Sequence, residues 1–169
     1  FLILSWLARA RINHVLEAFA LGSTAFRDDW VYATMEAIID CKAPELQIKF
    51  PRTKEECLAA ARGFESICYK NAIDTCVCAI GGYHLKLDKE YDTETSEEDA
   101  KEFFSPHHNS YGMNIQGACD HQGRFVFLGV GGPGNRDDDD ALVECPLGDL
   151  IESLPEDYCA IGDCGYIPT

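Results

Sequence analysis

Polar and apolar residues alternate most regularly between Tyr111 and Asp120, where Met113, Ile115, Gly117 and Cys119 are interleaved with Asn114, Gln116, Ala118 and Asp120. A period of two is that of a strand with one face buried. Asp120-His121-Gln122-Gly123 reads as a hairpin turn, because Gly123 can adopt positive φ. Arg124 to Val130 is almost continuously apolar, as in a strand covered on both faces. Asp120 thus stands at the corner of a hairpin. That is a place to hold a divalent cation, and equally the place of an ordinary turn aspartate.

The rest of the chain divides by period. Residues 1–41 carry apolar residues at helical spacing: Leu2, Ile3, Trp6, Leu7 and Ala10, then Ile12, Val15, Leu16 and Phe19. Gly22-Ser23-Thr24 interrupts them, and Trp30, Val31, Met35, Ile38 and Ile39 form a second stripe. Two helices about a glycine turn have the outline of a helix-turn-helix, but Asp28, Asp29, Glu36 and Asp40 make the second one acidic, unlike a base-reading helix. Thr53 and Glu56 form a capping box that opens a helix expected to reach about Arg62 and stop at Gly63. Thr75 to Leu87 begins as a buried strand, and Gly81-Gly82 within it signals a bulge or a close backbone approach. Asp88–Glu102 is an acidic loop, and His107 and His108 follow Pro106 in another loop. After Gly131-Gly132-Pro133-Gly134, four aspartates (Asp137 to Asp140) begin a helix whose dipole favours them, and Pro146 forces a restart. Tyr158 to Ile161 is a short strand that ends in Gly162-Asp163-Cys164-Gly165.

Charge changes the picture. The net charge is −15, and it is uneven. Residues 1–74 hold nine basic and ten acidic residues, and residues 75–169 hold five basic and nineteen acidic. The second part therefore repels phosphate, so any contact with nucleic acid must come from the first part, from metal ions or from further sequence. Nine cysteines lack paired zinc spacing, and Cys76, Cys78 and Cys159 lie in apolar runs, where a free thiol behaves as a small hydrophobe. The apolar opening F-L-I-L-S-W-L-A is too short to cross a bilayer and lacks basic residues before it; it reads as a buried helical turn. The first residue is Phe1 and the last motif stops at Thr169, so the chain is expected to be a piece of a longer one.

Five segments in order resemble one family. They are I-K-F-P-R-T-K-E-E-C (48–57), A-I-G-G-Y-H-L-K-L (79–87), F-F-S-P-H-H-N-S-Y-G-M-N-I-Q-G-A-C-D-H-Q-G-R-F (103–125), G-G-P-G-N-R-D-D-D-D-A-L (131–142) and Y-C-A-I-G-D-C-G-Y (158–166). Together they resemble the Harbinger-type DDE superfamily endonucleases, relatives of transposases. The resemblance implies an α/β, RNase H-like mixed sheet with flanking helices, preceded by an N-terminal helical segment and lacking the C-terminal part of the fold. The expected division is a helical, helix-turn-helix-like segment over residues 1–70 and a partial endonuclease domain over 71–169.

The family's chemistry uses three carboxylates around Mg2+ or Mn2+ to cleave DNA phosphodiesters. By resemblance the second of these falls on Asp120, which becomes the expected catalytic residue and metal ligand. The first falls at Gly81, in a Gly81-Gly82-Tyr83-His84 context where the family has a carboxylate, and the third lies beyond Thr169. Asp138 and Asp163 match positions that are usually acidic in the family but are not counted in the triad. Losing ligands from a metal site costs several kcal/mol in the barrier, roughly a hundred-fold or more in rate. The expectation is thus an inactive DDE domain, with a non-catalytic DNA- or protein-binding remnant as the alternative. DNA is the expected partner and a protein partner the second candidate, with no membrane; the implied location is nuclear or cytoplasmic.

Overall fold

The computed structural model describes residues 32–41, 47–87 and 101–166. Most of the N-terminal helical stripes and most of the acidic 88–102 loop lie outside them. The chain forms two compact units, Phe1–Gln47 and Ile48–Thr169. In the first, the described element is α1 (Tyr32–Ile39), on which Ile38 and Ile39 are exposed.

The second unit is a mixed sheet with helices packed on it. Its elements are α2 (Lys54–Ile67), β1 (Cys76–Lys86), β2 (Phe104–Ser105), β3 (Ser110–Cys119), β4 (Phe125–Pro133), α3 (Asp138–Glu144), α4 (Pro146–Glu152) and β5 (Cys159–Ile161). β3 lies antiparallel between β1 and β4, while β5 joins the far side of β1 in parallel. Among the described residues β4 is an edge, pairing with β3 alone. This is the mixed α/β arrangement expected of an RNase H-like sheet.

Local chemistry accounts for the elements. Thr53 Oγ1 accepts from the Glu56 amide and the Glu56 carboxylate accepts from the Thr53 amide, so the capping box closes as read. Lys49 and the Arg52 amide add to it, holding the Glu56 pKa down at about 2. α2 does not stop at Gly63; it runs four residues further. The glycine is there for space, since a Cβ on it would lie 2.3 Å from the His121 ring. Phe64, just after it, is buried and meets that ring edge-on. Asp137 caps α3 by accepting from the Asp140 amide, and α4 restarts with Pro146 in its first turn.

The core gathers Phe50 and Cys57, Val77 and Cys78 of β1, Ala118 of β3, and Cys145 and Leu147 between and within the last helices. Cys76, Cys78, Cys57 and Cys145 are indeed buried thiols, and burial first, then neighbouring thiols, pushes Cys78 up to about 12. Cys159 departs from the expectation: it is exposed at the start of β5.

One further expectation is narrowed and two are corrected. The glycine pair makes no bulge, since the pairing of β1 to β3 is continuous from Ala79↔Cys119 to Lys86↔Gly112; of the two alternatives it is the close approach that holds, at Gly82. β4 is not covered on both faces, because Phe125, Leu128 and Val130 are each about half exposed. On β3 the buried set is the polar one. Asn114 is 8% exposed and Gln116 0%, whereas Met113, Ile115 and Cys119 are only half-buried. Directly opposed residues share a face. Gly82 and Gln116 therefore lie on one face, with Asp138 against it. On the other lie Gly81, Gly117 and Leu128 in one row and Tyr83, Ile115 and Val130 in the next.

Candidate functional site

Asp120 sits in the hairpin turn that the sequence places there, and Gly123 takes φ +74° within it. Its carboxylate is fully engaged. Oδ1 accepts from the Gln122 and Arg124 amides, and Oδ2 accepts from Arg124 Nε at 2.8 Å and forms an ion pair with the same guanidinium at 2.6 Å. Burial raises the carboxyl pKa, but Arg124 and the two amides outweigh it and hold the group below its ordinary range. A turn aspartate with these partners fixes the hairpin, and its charge is already neutralised by a guanidinium.

Gly81, where the resemblance implies the family's first carboxylate, is opposite Gly117 rather than Asp120. Three residues of strand separate Gly117 from Asp120, on the order of 10 Å. The structure therefore does not bring Asp120 and position 81 together. Nothing lies within 4 Å of a Cβ built on Gly81. The parallel pairing of β1 with β5 sets Ala79 against Ile161, so Asp163 follows Ile161 where Gly81 follows Ala79.

Gly82 is the opposite case. A Cβ there would fall 1.9 Å from Asp138 Oδ1. The first turn of α3 thereby lays a carboxylate directly on the β1 backbone, an approach that only glycine admits. Oδ1 of Asp138 accepts from Asn114 Nδ2 at 3.1 Å and from Gln116 Nε2 at 3.3 Å. Gln116 Nε2 also donates to Asn114 Oδ1 at 2.8 Å, and the Tyr166 hydroxyl donates to Gln116 Oε1 at 2.8 Å. Burial chiefly, then the Asp138 carboxylate, pushes the Tyr166 phenol well above its ordinary pKa. Asp163 accepts from the Gly165 amide, and Asp163 Oδ1 and Asp138 Oδ2 lie 3.0 and 3.5 Å from the Cβ position of Gly165. The network joins β1, β3, α3 and the turn after β5.

Three histidines gather on the same side of this network. His84 and His108 stack at 4.4 Å, and His107 meets His108 edge-on at 4.8 Å. His84 Nε2 is 3.1 Å from Ser110 Oγ. Burial first, then His108, lowers the His84 pKa. Both loop histidines are exposed, as their sequence context implies, but the ring cluster is not legible from it.

The described residues do not present a two-metal centre. Among the described residues no three His, Cys, Asp or Glu side chains converge to hold a metal ion. Nor is any helix among them long and apolar enough to cross a membrane.

The sequence pattern of the DDE superfamily endonucleases fits residues 81–169, just over half of the chain. No curated protein and no solved structure matches it. The match begins at Gly81 and takes in the hairpin, the Asp138 helix and the Asp163 turn. With a mixed sheet flanked by helices beneath it, this chain belongs to the DDE superfamily endonucleases.

Proposed function

We propose that this chain is a Harbinger-type, transposase-derived DDE domain that contacts DNA without cutting it. Divalent-metal phosphodiester cleavage is the chemistry of the family; in this chain glycine stands at position 81, where the resemblance implies the first ligand. The observation that carries the reading is Gly81, a strand position facing open space with no side chain to offer. Asp120 supports it from the other side, since both its oxygens are engaged by the turn and Arg124. A carboxylate locked to a guanidinium is a poor ligand, because a metal cation must displace the positive charge already paired with it before it can bind the negative one. We propose that Asp120 shapes the hairpin and that carboxylates closer to position 81, Asp163 above all, would serve any restored site.

The test is a supercoiled-plasmid assay with Mg2+ or Mn2+, run beside a salt-dependent DNA shift. The expected result is a shift at low salt and no nicking by the natural sequence. Gly81→Asp has room for its side chain, so this variant should fold and should bind Mn2+ more tightly than the parent in calorimetry. Nicking by the natural sequence that chelator abolishes would overturn the inactive reading. No shift at any salt concentration would remove the DNA contact.

A further inference from the structure

The seam between β1 and β5 brings two cysteines together. The parallel pairing sets Cys76 directly opposite Cys159. Paired residues of neighbouring strands stand about 5 Å apart. That is inside the roughly 4.4–6.8 Å between Cα atoms that a disulfide spans. The pairing is irregular here, since the register shifts between Cys76 and Cys78. Cys76 Sγ sits at the irregularity: it donates to the Cys78 carbonyl at 3.3 Å, and the Ile161 amide of β5 favours its thiolate. Burial chiefly, then the Cys159 thiol, outweighs those bonds and pushes Cys76 up to about 11. The buried sulfur thus lies against β5.

The two sulfurs differ in access. Cys76 is 0% exposed, whereas Cys159 is open to solvent, with Thr75 Oγ1 3.6 Å from its Sγ. A water-borne oxidant reaches Cys159 and not Cys76. A thiol held as high as Cys76 is also a poor first target, because the thiolate is the reactive form. An accessible sulfur beside a resolving one is the arrangement of cysteines that respond to oxidants. Cys164, also exposed, lies in the turn beyond β5 and outside the strand pairing. It shares the exposure of Cys159 without a thiol opposite it in the sheet.

We propose that Cys159 is a site of oxidation by hydrogen peroxide and that Cys76 closes a disulfide with it. In the first step the Cys159 sulfur attacks peroxide and the O–O bond breaks. Cys159 becomes a sulfenic acid and one water is released. In the second step the Cys76 sulfur attacks the Cys159 sulfur. The S–O bond breaks, and the hydroxyl leaves as water with the Cys76 proton. Two thiols have then given two electrons to one peroxide. The bond acts on the weakest-held strand of the sheet's centre: β5 has three residues and, among the described residues, pairs with β1 alone. It fastens β5, and the Asp163 turn that follows, to the middle of the sheet. It also closes a long loop, which constrains the unfolded chain. The proposal is independent of the DNA contact.

The test treats the full chain, reduced beforehand, with a small excess of hydrogen peroxide and then blocks the remaining thiols. The thiol count in denaturant should fall by two from nine. A non-reducing peptide map should show Cys76 linked to Cys159, and dithiothreitol should restore both. The oxidised chain should melt about 5 °C or more above the reduced one. Cys159→Ser, an exposed substitution, should leave Cys76 free after peroxide, while Cys164→Ser should leave the linked pair unchanged. Cys76→Ser should stop the reaction at a Cys159 sulfenic acid that dimedone traps; because Cys76 is buried, the Cys159→Ser result stands as the test if that variant does not fold. Cys159 carried on to sulfinic acid with Cys76 still free would overturn the proposal. So would a link from Cys76 to Cys68 instead, or a bond between two copies through Cys164. Equal melting of the oxidised and reduced chains would overturn the fastening of β5.

Discussion

Asp120 follows the end of β3 and Asp138 opens α3, and the two aspartates are held in opposite ways. Asp120 is satisfied locally, by two amides and a side chain within four residues of it. Asp138 is satisfied at long range, by Asn114 and Gln116 from a strand more than twenty residues away, against a glycine on another. The first arrangement needs only its own turn. The second exists only when β1, β3, α3 and the turn after β5 are assembled together. The turn aspartate is thus a feature of a hairpin, and the network aspartate is a feature of the whole fold.

That contrast can be broken most forcefully at the glycine pair. Gly82→Ala drives a methyl into the Asp138 carboxylate and should cost about 2 kcal/mol or more, the range of overpacked and disrupted buried sites. Gly81→Ala should be neutral or slightly stabilising, because the methyl enters open space on a strand with ordinary φ. Chemical denaturation of the two variants side by side is the measurement. Equal destabilisation would mean that Asp138 does not occupy the β1 backbone. Next in size is Asp120→Asn, which keeps the shape of the turn but removes its charge-assisted bonds. A loss of about 1 kcal/mol is expected, with the melt still cooperative; a loss larger than that of Gly82→Ala would reverse the ranking. The smallest effect is that of pH. The folded pKa of His84 lies below its ordinary value. The unfolded chain therefore takes up the proton first, and stability should begin to fall as pH drops below about 6.5. The folded pKa of Asp120 is also lowered. Its contribution is present above the ordinary carboxylate value and should be lost only below about pH 4. Melting temperatures at pH 7.5, 5.5 and 3.5 should show the two steps in that order, and His84→Gln should flatten the first.

Local signals were legible in the sequence and long-range ones were not. The capping box of α2, the turn at Gly123, the aspartate start of α3 and the restart at Pro146 each need only neighbours in the chain, and each stands where the pattern places it. The end of α2 was misleading because Gly63 answers to His121, almost sixty residues away. The faces of β3 were misleading for a related reason. Polarity alone assigns Asn114 and Gln116 to solvent, yet they are buried because Asp138 and Tyr166 satisfy them. Two amides at alternate positions of a strand, opposite a glycine, carried the only hint of that network. Gly81 and Gly82 look alike in sequence, and only the register and the neighbouring helix distinguish an empty position from a crowded one.

The exposed β4 has a consequence of another kind. From Phe125 to Gly132 the strand carries no charge and no proline, with Phe125, Leu128 and Val130 half exposed and its outer edge unpaired among the described residues. Such a segment is a template on which a second chain can add a strand, the first step toward aggregates. Arg124 stands at one end and Pro133 at the other, the positions at which proteins set gatekeepers. The guanidinium that neutralises Asp120 is thereby also the barrier at one end of the strand most exposed to self-association.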